Sequence, residues 1–386
     1  MNLFSLPKLS PRAELLAKTL HHLTPLVDHS TTFSRQIFQQ DAMIQPYFDH
    51  PFYSCTHYGF NFPHLPSPLQ YLNISAILGT TGLLCYDQDE LQHTPPRKNA
   101  TVFMSTAFES SALLQHYALD GDEVVHTSNK MLFGRELLIE GHYPEFQLKA
   151  HFQGIELQFK IDVSRQSSWM MKTPLYDDLS LVMHYEGFFH IQGERYPVSG
   201  TGTFEFARAA TPHSLLPHPL SLADKVPVNF VTYQIINLDD HSQLILSKID
   251  VAAKSMSYKA YIRHKSGLCE VYDNVEFSIA EYQDKPTLSP FGQYTLLPKS
   301  FEWKIFNQNQ EPYLMIKAKI SSTFQYGVGL GYAAAFEFEA IDHLYSCHRY
   351  GQGYLEYIDV VEQTEICPYP DDISGLIQPQ QSIPII

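Results

Sequence analysis

Two glutamates at matching positions of an internal repeat are the residues best suited to proton chemistry. Glu205 lies in Gly200-Thr-Gly-Thr-Phe-Glu-Phe206, and Glu356 lies in Gly351-Gln-Gly-Tyr-Leu-Glu-Tyr357. Because side chains of a strand alternate between its two faces, each glutamate lies opposite its aromatic neighbours. If the aromatic face points inward, both carboxylates are solvated. If the polar face points inward, burial raises their pKa and makes them proton donors.

A second candidate pair lies on one strand, where His184 and Glu186 share a face on either side of Tyr185. The two side chains are either an acid and base pair or an ordinary polar pair on the surface of a sheet. If the protein is an enzyme, we expect Glu205 to be the catalytic acid, with Glu186 and His184 assisting it.

The sequence lacks the common motifs of metal and cofactor sites. No His-Glu-x-x-His, Cys-x-x-Cys, phosphate loop or Gly-x-Ser-x-Gly segment occurs. The Gly-x-Gly pairs have no third glycine and no following helix, so they do not indicate a dinucleotide site. His57 and His64 flank a segment without an acidic residue. We therefore expect neither a metal nor a cofactor.

Composition limits the class of protein. The 386 residues include 26 basic and 41 acidic side chains, a net charge of −15, which argues against a nucleic-acid-binding face. The five cysteines are widely scattered, as buried thiols of a reducing compartment are. The N-terminus does not resemble a secretory signal, and no uncharged apolar run reaches the ~18 residues of a membrane-spanning helix. We expect a soluble cytoplasmic protein without a transmembrane segment.

The chain opens with one predicted helix. Ser10 is suited to cap it, Pro11 suits its first turn, and leucines recur at helical spacing at positions 15, 16, 20 and 23. We expect these leucines to pack on the protein body. The alternative is peripheral contact with a membrane surface, assisted by Arg12 and Lys18.

Beyond about residue 50 the apolar pattern changes to a period of two, which predicts antiparallel sheet with one apolar face. The clearest alternating segments are 155–163, 231–235, 275–279, 314–320 and 336–340. Many short strands with few helices indicate a sandwich or barrel, so the predicted class is all-β.

The strands are divided by a proline-rich connector at residues 211–227, and the halves on either side repeat one another. Gly200 and Gly351 lie 151 positions apart, and the same step carries Tyr185-Glu186 to Phe336-Glu337 without a gap. We predict two barrels of eight to ten strands. The expected division is an N-terminal helix and arm (1–45), a first barrel (46–210), the connector (211–227), a second barrel (228–362) and a C-terminal tail (363–386).

The motifs around these glycines resemble those of tandem lipocalin-like (calycin) proteins related to hydroxyneurosporene synthase, a carotenoid hydratase. The resemblance rests on Glu186–Gly202, on Gly351–Glu356 and on Pro298–Trp303, and it extends over about residues 45–362. It implies two barrels and an apolar ligand. In hydratase-like members an Asp-His-Glu-type sequence follows the first glycine segment, whereas this chain has Phe204-Glu-Phe-Ala-Arg208, which keeps a carboxylate and lacks the histidine.

The sequence is compatible with three functions. The first is binding of a lipophilic molecule of isoprenoid or fatty-acyl type in a barrel cavity. The second is acid-catalysed hydration, isomerisation or cyclisation of an isoprenoid-like or polyketide-like substrate, and the third is an interaction protein whose barrels are filled by their own side chains. For either of the first two, we expect the ligand to touch Trp169, Trp303, Tyr185, Phe204 and Glu356. The ligand could lie in the first barrel, in the second or at the interface between them.

Overall fold

The computed structural model describes residues 4–5, 8–108, 111–344, 346–360 and 362–363. Its helices are α1 (Pro11–Val27) and α2 (Ser30–Ser34), with short 3-10 turns at Asp41–Met43, Pro96–Lys98, Pro212–Ser214 and Leu222–Asp224. The expected tail beyond residue 363, with Cys367, lies outside the described residues.

The first half of the strands runs from the N-terminus to the connector. These strands are β1 (Phe4–Ser5), β2 (Cys55–Phe62), β3 (Leu72–Leu78), β4 (Asn99–Thr106), β5 (Leu113–Ala118), β6 (Val124–Thr127), β7 (Lys130–Phe133), β8 (Leu137–His142), β9 (Glu145–Phe152), β10 (Ile155–Lys172), β11 (Tyr176–Ile191) and β12 (Glu194–Ala209).

The remaining strands follow the connector. They are β13 (Val228–Asp239), β14 (Ser242–Val251), β15 (Lys254–His264), β16 (Cys269–Tyr272), β17 (Val275–Tyr282), β18 (Thr287–Leu288), β19 (Tyr294–Thr295), β20 (Pro298–Phe306), β21 (Pro312–Ile320), β22 (Gln325–Val328), β23 (Gly331–Asp342), β24 (Cys347–Asp359) and β25 (Glu362–Gln363).

The first barrel is one antiparallel sheet of eleven strands in the order β5-β4-β3-β2-β12-β11-β10-β9-β8-β7-β6. It curls until it is nearly closed. Alternation sends one face of every strand into a shared apolar interior. Phe60 of β2 and Phe204 of β12 meet there with ring centroids 5.2 Å apart, and both are fully buried.

The second barrel is a sheet of ten strands in the order β16-β15-β14-β13-β24-β23-β21-β20-β17, with β22 attached to β23. It forms a half-barrel around a second interior that holds Trp303, Phe301 and Phe336. The all-β class and the tandem lipocalin-like architecture are therefore confirmed. The first sheet has more strands than expected, and the second is less closed than the first.

The internal repeat differs from the predicted alignment by two residues. Tyr185 pairs with Gly200 in the first sheet, and Gly351 pairs with Phe338 in the second. The ungapped match of Tyr185 to Phe336 is therefore wrong. Its cause is the hairpin: Ile191 pairs with Glu194 across two residues, whereas Asp342 pairs with Cys347 across four. The match of Glu205 to Glu356 lies beyond the hairpin and is unaffected.

Helix α1 begins as expected, because the Ser10 side chain accepts a hydrogen bond of 3.2 Å from the Ala13 amide. Its contact face is different. Ala13 and Ala17, one turn apart, are the buried residues, whereas Leu15 is 66% exposed. Small side chains at this spacing let the helix approach the body closely, so the leucines lie to either side of the contact. No helix of the described residues is long and apolar enough to cross a membrane.

Candidate functional site between the barrels

The two barrels pack through their outer faces, and a third apolar cluster lies between them. It includes Tyr71 and Phe103 of the first barrel with Tyr233, Tyr261 and Tyr354 of the second. Within this interface lies a cavity of about 780 Å³. Residues of both sheets line it, and Leu16, Leu20 and Leu23 of α1 extend its apolar wall.

Glu205 reaches this cavity from β12. Phe204 and Phe206 fill the interior of the first barrel, so alternation places Glu205 on the outer face, toward the second barrel. Its neighbours across the sheet are Ser180 and Gly59. A β-carbon on Gly59 would lie 3.0 Å from the Glu205 β-carbon, so glycine leaves the room that the carboxyl group occupies.

Glu356 reaches the same cavity from β24 of the second barrel, and only 9% of it is exposed. Its neighbours across the sheet are Tyr233 and Ala333. The Tyr354 hydroxyl donates a hydrogen bond of 2.8 Å to Glu356 Oε1. Two carboxyl groups from matching positions of the repeat are thus brought to one cavity. Neither sequence alternative described this arrangement, in which the aromatic side chains point inward and the carboxyl groups are still enclosed.

Burial changes the acidity of these groups. Removal from water raises the pKa of Glu205 to about 8, and the nearby Glu356 carboxylate adds to the rise. Burial likewise raises the pKa of Glu356 to about 7, although the Tyr354 hydrogen bond opposes it. Burial also raises the pKa of Asp178, a third carboxyl group of the cavity wall, to about 6. None of the three takes part in an ion pair of the described residues.

Two residues that the sequence analysis did not select complete the polar wall. His57 lines the cavity, its Nε2 lies 3.0 Å from Ser75 Oγ, and burial lowers its pKa to about 4, which keeps the ring neutral. A β-carbon on Gly59 would lie 3.1 Å from His57 Cε1 and 3.2 Å from Glu205 Oε2. His57 therefore lies beside an acid contributed by another strand. The sequence of residues 57–64 does not reveal this neighbour, because that segment contains no acidic residue.

Tyr233 was also missed. Its hydroxyl donates a hydrogen bond of 3.3 Å to Ser180 Oγ across the interface. Arg263, fully buried behind the cavity, donates to the same Ser180 oxygen over 3.0 Å and to Thr203 Oγ1 over 3.1 Å. A network of hydrogen bonds therefore holds the two barrels in a defined position around Glu205. Period-two alternation could have placed Tyr233 on the outer face, but not against Ser180.

The other residues expected at the site lie away from the cavity. His184 and Glu186 are on the outer surface of β11, where the Glu186 side chain is 71% exposed and lies 3.7 Å from Lys160 Nζ. Tyr185 and Phe204 belong to the interior of the first barrel. The two tryptophans are fully buried in apolar cores: Trp169 in that of the first barrel and Trp303 in that of the second.

The remaining ionisable groups give no metal site. Among the described residues, no three His, Cys, Asp or Glu side chains are grouped so that they could hold a metal ion. Among the described residues that line the cavity, Arg208 carries the permanent positive charge, and its guanidinium binds Asp177 through Nε at 2.9 Å and Nη2 at 2.8 Å. Arg263 adds a second positive charge behind the wall, beside Ser180.

Comparison with solved structures shows the same fold in two proteins. A protein assigned as AttH from Nitrosomonas europaea is 14% identical and superimposes with a TM-score of 0.56 over 80% of this chain and 93% of its own. Kievitone hydratase from Nectria haematococca is 10% identical, with a TM-score of 0.53 over 84% and 96% of the two chains. These likenesses confirm the resemblance to tandem lipocalin-like proteins at the level of fold.

At the level of sequence, no curated protein matches the chain. Residues 75–367, which include most of the first barrel and all of the second, match the model of one protein family. That match covers more than half of the chain, and the protein therefore belongs to the family of unknown function DUF6670.

Proposed function

We propose that this protein binds an apolar small molecule in the cavity between its barrels and transfers protons to and from it through Glu205 and Glu356. One observation carries the proposal: two carboxyl groups without an ion pair are enclosed at the wall of an otherwise largely apolar cavity. Such enclosure is unfavourable for folding, because each ionised carboxylate loses its hydration. A function that uses the protons accounts for the enclosure of the two carboxyl groups despite this cost.

The pair is suited to divide the roles of acid and base. Two interacting carboxyl groups release their protons in separate steps, so one proton is held while the other has left. Burial raises the pKa of both carboxyl groups, and the Tyr354 hydroxyl donates a hydrogen bond to Glu356, which favours the ionised form of that group. We therefore assign the role of acid to Glu205 and that of base to Glu356. Catalysis is most effective when such pKa values lie near the working pH.

Hydration of a carbon–carbon double bond is the reaction that we would test first. The Glu205 proton passes to one carbon, whose new C–H bond takes the π electrons and leaves a cation at the other. Water then adds to that cation, and Glu356 accepts the proton that the bound water releases. The reverse sequence removes water. Kievitone hydratase has the same fold and, as its name says, is a hydratase, which also favours hydration as the reaction class.

A carrier without catalysis is the second candidate. The apolar wall from α1, with Met170, Val231 and Ile249 of the barrels, would bind a lipophilic molecule by desolvation alone, at roughly 25 cal/mol per Å² of apolar surface removed from water. A carrier has no need of ionisable groups at this wall, so the carboxyl pair favours the enzyme.

We also propose a reducing cellular location such as the cytoplasm. The support is that Cys55, Cys85 and Cys269 are buried free thiols.

Isotope incorporation distinguishes the two functions. The protein is incubated in D₂O with a lipid extract, and the apolar compounds are analysed by mass spectrometry. Proton transfer to carbon adds a deuterium that back-exchange in H₂O does not remove, and Glu205→Gln abolishes that mass change while the compound still co-purifies with the protein. A bound compound that gains no deuterium with the unaltered protein would show a carrier. Glu156→Gln, an exposed change of the same charge on the first barrel, is the matched control.

A further inference from the structure

The cavity presents an excess of acidic groups that no lining cation balances. Asp178, Glu205 and Glu356 come from three strands of both barrels and face the same space. Of the described lining residues, Arg208 is the one with a permanently charged cationic side chain, and it is already paired with Asp177. His57 does not compensate, since burial keeps it neutral.

Unpartnered hydrogen-bond acceptors are an independent sign of what the cavity binds. Asn73 lines the cavity, is only 2% exposed and leaves its Oδ1 without a partner, while its Nδ2 donates over 2.6 Å to Asn61 Oδ1. Glu205 Oε1 is also unpartnered. The Asn61 amide lies close enough to Glu205 to oppose the rise in its pKa, but Asn61 Nδ2 itself has no hydrogen-bond partner. Unpaired buried acceptors are costly unless a donor reaches them.

We infer that the cavity selects apolar ligands whose polar group donates hydrogen bonds, such as an alcohol or an amine, and rejects ligands with a carboxylate, sulfate or phosphate. This inference rests on the proposed function and deepens it. It removes free fatty acids and phosphorylated isoprenoids from the candidate ligands at a pH where these carboxyl groups are ionised, because an anion in this largely apolar cavity would be repelled by them. Neutral isoprenoids, alcohols and lipophilic amines remain.

The selectivity depends on pH, because the acidic groups change charge. Above pH 8 both glutamates are ionised, whereas below about pH 5 both are protonated and the repulsion of an anion largely disappears. The other titratable and charged groups that contact or influence the pair come from every surrounding element: His57, Tyr86, Tyr176, Asp178, Tyr233, Arg263 and Tyr354. Burial raises the pKa of these tyrosines, so they stay neutral, and Arg263 stays charged. Of the groups named here, Asp178 therefore changes charge together with the two glutamates between about pH 5 and pH 8.

Displacement of a neutral dye tests the inference. Nile red reports occupation of the cavity, and octylamine, octanol and octyl sulfate compete with it, since they share one chain and differ in the head group. At pH 9 we expect octylamine to displace the dye at a concentration about tenfold or more below that of octyl sulfate, a difference of about 1.4 kcal/mol, with octanol between them. At pH 5 we expect the amine and the sulfate to agree within about threefold.

Variants assign the effect to the glutamates. In the double variant Glu205→Gln with Glu356→Gln, the difference at pH 9 should fall most of the way to the pH 5 value, with the remainder due to Asp178. Glu156→Gln should leave the difference unchanged. Glutamine retains the size of glutamate and lacks its charge. The pH series on the unaltered protein is a separate test that requires no variant.

The outcomes separate the two proposals. Octyl sulfate displacing the dye as well as octylamine at pH 9 would overturn the selectivity, while the cavity itself would still bind apolar molecules. The selectivity would also be overturned if the difference between octylamine and octyl sulfate at pH 9 were undiminished in the double variant. Failure of Nile red and all three competitors to bind would overturn the proposed function, and the selectivity with it.

Discussion

The interiors of the two barrels and the space between them bury different kinds of side chain. Phe204 and Trp303 lie in interiors packed by aliphatic and aromatic residues. Glu205, one position from Phe204, and Glu356, one position from the buried Leu355, lie instead in an interface with acids, amides and an arginine. Each barrel interior is stabilised because its apolar side chains exclude water. The interface instead contains ionisable groups whose burial is unfavourable. The interiors therefore maintain the fold, whereas the interface is suited to chemistry.

The largest effect should come from emptying a barrel interior. Phe204→Ala leaves a cavity among Phe60, Phe146 and Tyr58, and we expect it to lower the free energy of unfolding by about 3–5 kcal/mol. Urea-induced unfolding followed by circular dichroism measures this. Phe204→Leu, which keeps most of the volume, should lose less than half as much, and equal losses would mean that packing is not what matters at this position.

The opposite sign is expected at the interface. Each glutamate has a higher pKa in the folded state than when unfolded, so both destabilise the fold as pH rises through the interval from about 4.5 to about 8. The double variant Glu205→Gln with Glu356→Gln should therefore be more stable than the unaltered protein at pH 9, by about 1–4 kcal/mol, and equally stable near pH 4. Thermal unfolding at the two pH values measures this, and a loss of stability at pH 9 would contradict the burial of ionised groups.

A smaller effect is expected at Gly59. Alanine there places its β-carbon against Glu205 and His57 in a backbone conformation that is open to any residue, so the loss comes from crowding and should be about 1–2 kcal/mol. Adding Glu205→Gly removes the β-carbon that lies 3.0 Å away and should restore part of that loss in a double-mutant cycle measured by unfolding, while the contact with His57 remains. Additive losses would show that the two positions do not touch.

The smallest effect concerns the helix that covers the cavity. Leu20→Ala removes part of the apolar wall and should weaken Nile red binding about three- to tenfold, because fewer apolar groups are shielded with the dye. Leu26→Ala is the matched control on the same helix, since Leu26 is 75% exposed and does not line the cavity. Equal titration curves for the two variants would place the dye elsewhere.

The alternation of side chains predicted the fold well and the site only in part. The pattern around Phe204 and Glu205 correctly separates two faces of a strand, because a period of two is a local property. What covers the outer face is not local. Tyr233 reaches Ser180 from the other barrel, and His57 lies near its acid only after β2 pairs with β12. Trp303, which we expected to contact the ligand, lies in the apolar core of the second barrel, as the alternative of barrels that hold their own side chains describes.

The position of Glu205 and Glu356 on outer faces makes the site depend on both repeats. A protein with a single copy of this barrel would expose that face to water, and its glutamate would be an ordinary surface acid. The shared environment arises only when a second copy covers the first and contributes its own carboxyl group. Neither repeat could therefore form this site alone, because each one supplies a single carboxyl group and half of the cover that encloses the other.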